Sequence, residues 1–239
     1  MIARNVKLRL DTTSLPVITA MLLGLLVSVA AGPVWAGYAE EQEQMVAKAA
    51  LTLDSFASDP SMSAAIHELK SDAKALFIVP QFTRGAFIFG GAGGSGVLIV
   101  RDEQTKQWSE PAFYNIGSGS FGLQIGVDVS EMVLVARTQK GLESFYHSNF
   151  KLGADVSMAV GVVGEGASLK GITADIVAYA RKKGAFAGIA ADGSVIAVSD
   201  DANAIYYGKP VRPTDILVKQ NVSNPSSADL RKKAEKLFQ

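Results

Sequence analysis

Two glycine clusters are the first places in the chain where chemistry could be held. Gly91-Ala92-Gly93-Gly94-Ser95-Gly96 and Gly117-Ser118-Gly119-Ser120-Phe121-Gly122 both fit G-x-G-x-x-G, the loop that lets a helix N-terminus face a pyrophosphate. A dinucleotide site needs that loop between a strand and a helix, and both clusters here run into β-patterned segments. Asp102 follows the first cluster too soon to serve as a ribose-binding acid, which is expected about 20 residues on. No G-K-[ST] follows either cluster, so a P-loop is not available. The chain has 2 histidines, His67 and His147, and no cysteine. That removes a multi-histidine zinc centre, thiolate chemistry, disulfides and a lipidated cysteine. Asp128, Asp155, Asp175 and Asp192 sit in strands or turns without paired spacing. No catalytic residue, metal ligand or cofactor site can be assembled from these residues.

Binding chemistry has more to work with. Arg181-Lys182-Lys183 is the densest basic cluster before the C-terminal tail. As a turn between strands it would simply be solvated. Against an anionic membrane each base is worth about 1 kcal/mol, and an apolar element must insert as well. Lys+Arg and Asp+Glu both number 23, so the formal net charge is zero. That balance argues against a chain whose main task is holding nucleic-acid phosphates.

The elements that would position these groups can be read from periodicity. Met45, Ala49, Leu53 and Phe56 recur at helical spacing behind Glu40, Glu41 and Glu43, which suit a helix N-terminus. Asp59-Pro60 starts a second helix with Met62, Ile66, Leu69 and Ala73 as its stripe. From Leu76 the pattern turns to strands. Leu76 to Val79 is expected to stop at Pro80, Ala86 to Phe89 to end in glycines, and Val97 to Val100 to follow them. Residues 121–130 alternate cleanly and predict one strand, with Met132 to Ala136 as the next. Ten of the 23 glycines lie from Gly85 to Gly126, which predicts hairpin turns and close backbone crossings. Val156 to Val162 alternates again, and Asp192-Gly193 marks a hairpin between Phe186–Ala190 and Val195–Val198. Ser199-Asp200-Asp201 caps a short helix to Tyr207. A polar helix is expected from Ser226 to Gln239, with Arg231, Lys232, Lys233 and Lys236 near its end. The sum is α+β: one domain dominated by antiparallel strands, with N-terminal helices and a C-terminal helix.

Residues 1–36 read as a signal peptide. Arg4, Lys7 and Arg9 precede an apolar stretch from Leu15 to Ala31, and Val34-Trp35-Ala36 offers small residues where a signal peptidase reads. Cleavage after Ala36 predicts an exported, periplasmic protein without a transmembrane span. A retained anchor is the other reading, although the stretch is short for the roughly 20 apolar residues a span needs. The organisation expected is therefore signal peptide 1–36, domain 37–225 and polar helix 226–239.

Residues 45–220 resemble the SYLF, or Ysc-type actin-binding, family. The resemblance is carried by Ala73-Lys74-Ala75-Leu76-Phe77-Ile78-Val79-Pro80, Gly94-Ser95-Gly96-Val97-Leu98, Trp108-Ser109-Glu110-Pro111-Ala112-Phe113 and the glycine cluster from Gly117 to Gly126. It continues in Tyr179-Ala180-Arg181, Gly184-Ala185-Phe186 and Tyr206-Tyr207-Gly208. The resemblance implies a non-enzymatic domain that binds lipid surfaces, phosphoinositide-like in eukaryotic members, some of which also bind actin. Lipid binding there is attributed to a basic amphipathic N-terminal helix, and this chain departs from it, with Glu40, Glu41 and Glu43 against Lys48 alone. In a bacterial envelope anionic phospholipid or lipopolysaccharide is the nearest substitute partner, and the binding face expected from the residues is Arg84, Arg101, Arg181, Lys182 and Lys183, with Trp108 as an interfacial side chain. An envelope protein bound through a sheet edge or the C-terminal helix is the alternative partner.

Overall fold

A computed structural model describes residues 37–86, 89–121, 126–161, 163, 171–182, 185–186 and 191–239. The signal-peptide reading of 1–36, and Lys183, lie outside the described residues. The compact unit from Glu41 to Gln239 is the one described here.

Four runs of apolar residues fix the architecture, because each is buried on both of its faces. They lie in β1 (Ala75–Ala86), β2 (Phe89–Val100), β4 (Gly126–Ala136) and β7 (Ile176–Lys182). Successive side chains of a strand point to opposite sides. Phe77, Leu98, Met132, Leu134 and Ala178 therefore enter one core, while Leu76, Ile78, Val97, Ile99, Val133 and Val177 enter another. A strand buried on both faces reads as a continuous apolar run rather than an alternation.

The remaining strands are β3 (Ala112–Phe121), β5 (Asn149–Lys151), β6 (Met158–Val160), β8 (Ala185–Phe186) and β9 (Val195–Val198). All join one sheet of order β5-β9-β3-β2-β1-β4-β7-β6, with β8 paired to β7. Among the described residues every strand pairing is antiparallel except β6 with β7. The sheet curls. Its two margins, β5 and β6, are joined only by residues 152–157, which reach no more than roughly 20 Å when extended. Phe145, Phe150, Leu152 and Ile196 fill the space inside the curl.

The outer face is covered by helices: α1 (37–57), α2 (Ser63–Asp72), α4 (Asp200–Tyr207) and α6 (Ala228–Phe238), with α3 (Gln139–Ser144) and α5 (Pro213–Leu217) elsewhere. Val46, Ala49, Leu53 and Phe56 of α1 pack with Met62, Leu69, Leu230, Ala234 and Phe238 on that face. Helix α6 is therefore part of the domain: its solvent side is polar, and its other side is buried against the sheet.

Three strand expectations are corrected. Pro80 does not end a strand; it lies within β1 at an irregularity, where pairing to β2 shifts between Ile78 and Thr83 and pairing to β4 between Val79 and Phe82. A bulge is where a sheet tolerates proline's missing N–H. The glycines from Gly90 to Gly96 form no turn but lie inside β2. A Cβ on Gly94 would sit 2.4 Å from the Gln81 carbonyl oxygen, and one on Gly96 2.3 Å from that of Ile78. Close approach of the bulged strand explains those two glycines. The strand expected over 121–130 is divided: Phe121 lies in β3, which pairs with β2, and 126–130 lie in β4, which pairs with β1, while 122–125 lie outside the described residues. As for the hairpin expected at Asp192-Gly193, the turn is present, with Gly193 at φ 79°, and among the described residues β9 pairs with β3 and β5.

Candidate functional site

The basic residues expected to form one binding face are split by the sheet. Arg181 shares its side with Tyr179 and so faces the helices; Lys182 shares its side with Ala180 and faces the other way. Arg181 donates from Nε and Nη2 to Glu131 Oε2 at 3.0 and 2.7 Å, and from Nη1 to the Ser55 carbonyl oxygen at 3.2 Å. Its guanidinium also lies 5.9 Å from the Phe56 ring centroid. Lys182 pairs with Asp128 at 2.5 Å, and Arg84 stands opposite Asp128 in the β1–β4 register.

Arg101 has a similar duty elsewhere. It donates from Nη1 to the Lys70 carbonyl oxygen at 2.8 Å and from Nη2 to that of Phe238 at 2.9 Å. Arg137 bonds Asp72 and the Ile172 carbonyl, and Arg231 bonds Glu110 and the Trp108 carbonyl. Arg101 and Arg181 thus cap the last turns of α2, α6 and α1, where helix carbonyls lack partners and a cation suits the dipole. Trp108, expected at an interface, is instead 3 % exposed, with its ring 5.5 Å from that of Phe238. Burial against α6 makes it a core side chain.

Lysines on the helical layer remain available. Lys232 and Lys236, four apart on α6, share one side of that helix. Lys236 and Lys70 line a common groove between α1, α2 and α6. Among the described residues these three lysines form no ion pair, whereas the neighbouring Lys233 is held by Asp54 at 2.8 Å and Asp229 at 3.0 Å. The basic residues of the tail are visible in the sequence, but their approach to Lys70 is not. The four-residue spacing was the available signal; the meeting of α2 with α6 was not.

Reactive groups do not converge. His67 and His147 are both exposed and belong to different elements, α2 and the segment after α3. Among the described residues no group of three or more His, Asp or Glu side chains could hold a metal ion. Asp175 is a half-buried carboxylate that accepts from both Ser157 and Thr138. Burial alone would raise its carboxyl, but hydrogen bonds from Ser157 and Thr138 outweigh that and hold it below the ordinary range. It fastens β6 beside β7. Lys140 lies 3.9 Å from its Oδ2 as an exposed ion-pair partner.

The model of the Ysc84 family, described as "Las17-binding protein actin regulator", matches residues 117–237, from the end of β3 through α6. The chain belongs to the Ysc84 family. Among curated proteins it is 32 % identical over 167 residues to an SH3 domain-containing protein of Schizosaccharomyces pombe, covering 66 % of this chain and 38 % of that protein. It is 30 % identical over 161 residues to SH3 domain-containing YSC84-like protein 1 of Bos taurus, covering 66 % and 46 %. It is 32 % identical over 171 residues to LAS seventeen-binding protein 3 of Saccharomyces cerevisiae, covering 67 % and 37 %. The chain thus spans less than half the length of these relatives. The Ysc84-family match takes in Arg181, Lys182, Lys232 and Lys236, while Lys70, Arg84, Arg101 and Trp108 precede it.

Proposed function

We propose that this chain is a non-enzymatic module that docks peripherally on anionic membrane lipid, with the lysine-bearing side of its helical layer as the contact face. One observation carries the reading: Lys70, Lys232 and Lys236, on adjoining helices, form no ion pair among the described residues, while Arg101, Arg181 and Arg231 are engaged in holding those helices down. Three lysines near a charged bilayer contribute about 3 kcal/mol, which is marginal alone. Leu51, 61 % exposed on α1, supplies an apolar side chain on the same helical layer that can enter the interface. The setting we propose is a bacterial envelope, reached after loss of residues 1–36. An intact-mass measurement on protein from an envelope fraction reads that cleavage directly.

Co-sedimentation with phosphatidylglycerol vesicles at low salt is the test. The protein should pellet with the vesicles and be released as salt rises. Lys232→Glu with Lys236→Glu should abolish pelleting without lowering the melting temperature. Arg181→Ala should do the reverse, lowering the melting temperature while leaving the folded fraction able to bind. No binding to any anionic vesicle at low salt sinks this reading. A protein-binding role would then take its place, in keeping with the family description and the yeast relative's name.

A further inference from the structure

We infer that the groove between α1, α2 and α6 holds one single-chain anionic amphiphile, a long-chain fatty acid, with its carboxylate at Lys70 and Lys236. This deepens, and rests on, the lipid reading above, but it concerns a monomeric ligand rather than a bilayer.

The groove is an open cleft of about 560 Å³, within the size range of sites that hold small organic ligands. Its base is aliphatic, built from Leu53, Ile66 and the half-buried Leu237, with the exposed Ala57 and Pro60 at its edge. Leu53, Ile66 and Leu237 also roof an apolar cavity of about 20 Å³ beneath, lined further by Phe56, Leu69 and Phe238. The buried base is therefore apolar, which suits a hydrocarbon chain, while Ser58, His67 and Lys233 join two carboxylates and the two lysines on the polar side of the lining.

The rim decides the head group. Two carboxylates reach it, and both are occupied: Asp54 holds Lys233, and Asp59 Oδ1 accepts from the Ser61 backbone N–H at 3.0 Å and from its hydroxyl at 2.7 Å. Lys70 and Lys236 have no such partner among the described residues. The rim thus has two spare positive charges beside an oily trough, a pattern complementary to a carboxylate with an attached alkyl chain.

Displacement of a fluorescent fatty-acid analogue by palmitate, at concentrations where palmitate is monomeric, reads the site on the full chain. Saturable one-to-one displacement is expected. Lys70→Ala with Lys236→Ala should raise Kd about tenfold or more, since each lost cation near an anion is worth about 1 kcal/mol. Palmitate methyl ester, which lacks the charge, should bind the unmodified protein as weakly as palmitate binds that variant. Ala57→Trp places an indole in the trough from an exposed helix position, so palmitate binding should vanish while melting temperature and vesicle binding stay unchanged. Palmitate binding that survives in a folded Ala57→Trp protein overturns the inference. So does its absence in a protein that still pellets with vesicles. Palmitate binding without vesicle binding supports the groove and sinks only the bilayer reading.

Discussion

Tyr114 and Tyr179 are both buried phenols on strands, and they differ in what their hydroxyls meet. Tyr114 donates to the Phe145 carbonyl oxygen at 2.5 Å. The Tyr179 hydroxyl has no partner among the described residues, and burial pushes its pKa up to about 12. A buried polar group left unpaired is costly, whereas a satisfied one contributes about 1 kcal/mol net. Tyr179→Phe should therefore leave stability unchanged or raise it by up to about 1 kcal/mol, and Tyr114→Phe should lower it by about 1–2 kcal/mol. Urea unfolding of the two variants against the parent checks this. Equal losses would mean that Tyr179 has a partner in solution. At this scale the sequence shows residue type but not direction. Arg181-Lys182 is visible as a basic pair, yet strand parity sends one side chain under α1 and the other to Asp128. No count of charges along the chain reveals that split.

The helices were largely legible, because the stripes Ala49, Leu53, Phe56 and Met62, Leu69, Ala73 are the residues that pack on the sheet. The strands of the two-sided core were legible as apolar runs. What the periodicity missed is where strands begin and end around glycine and proline. Both residues usually punctuate, but here they sit inside long strands. The physical reason is the irregularity of β1 at Pro80, which brings its backbone against β2 at Gly94 and Gly96. Gly96→Ala should cost about 3 kcal/mol or prevent folding, since its Cβ would meet backbone rather than a movable side chain. Gly94→Ala should behave alike. Gly119→Ala, where nothing lies within 4 Å, should change stability by less than about 0.5 kcal/mol. Denaturant midpoints of the three variants separate close approach from simple strand glycine.

Across the whole molecule, arginine–carboxylate contacts tie the helical layer to the sheet, and they respond to acid. The hydrogen bond from Arg137, with a second from Ser71, holds the Asp72 carboxyl below its ordinary value of 3.8. A carboxyl whose pKa is lowered by folding stabilises the native state fully above the unfolded value. That contribution is lost as pH falls through the lower native value. Stability should therefore decline below about pH 4. Asp72→Asn should be less stable than the parent at pH 7 by about 1 kcal/mol, a modest figure because the carboxylate is 42 % exposed. Its acid decline should be shallower, as urea unfolding at pH 7, 4 and 3 would show. The same global view bears on residues 152–157. That short link is the one covalent tie between the outermost strands of a sheet whose interior holds Phe145, Phe150 and Leu152. A protease nick there would let both margins peel at once and admit water to the aromatic filling. Partial opening at one margin should therefore be scarce, and amide exchange of β5 and β6 should rise together.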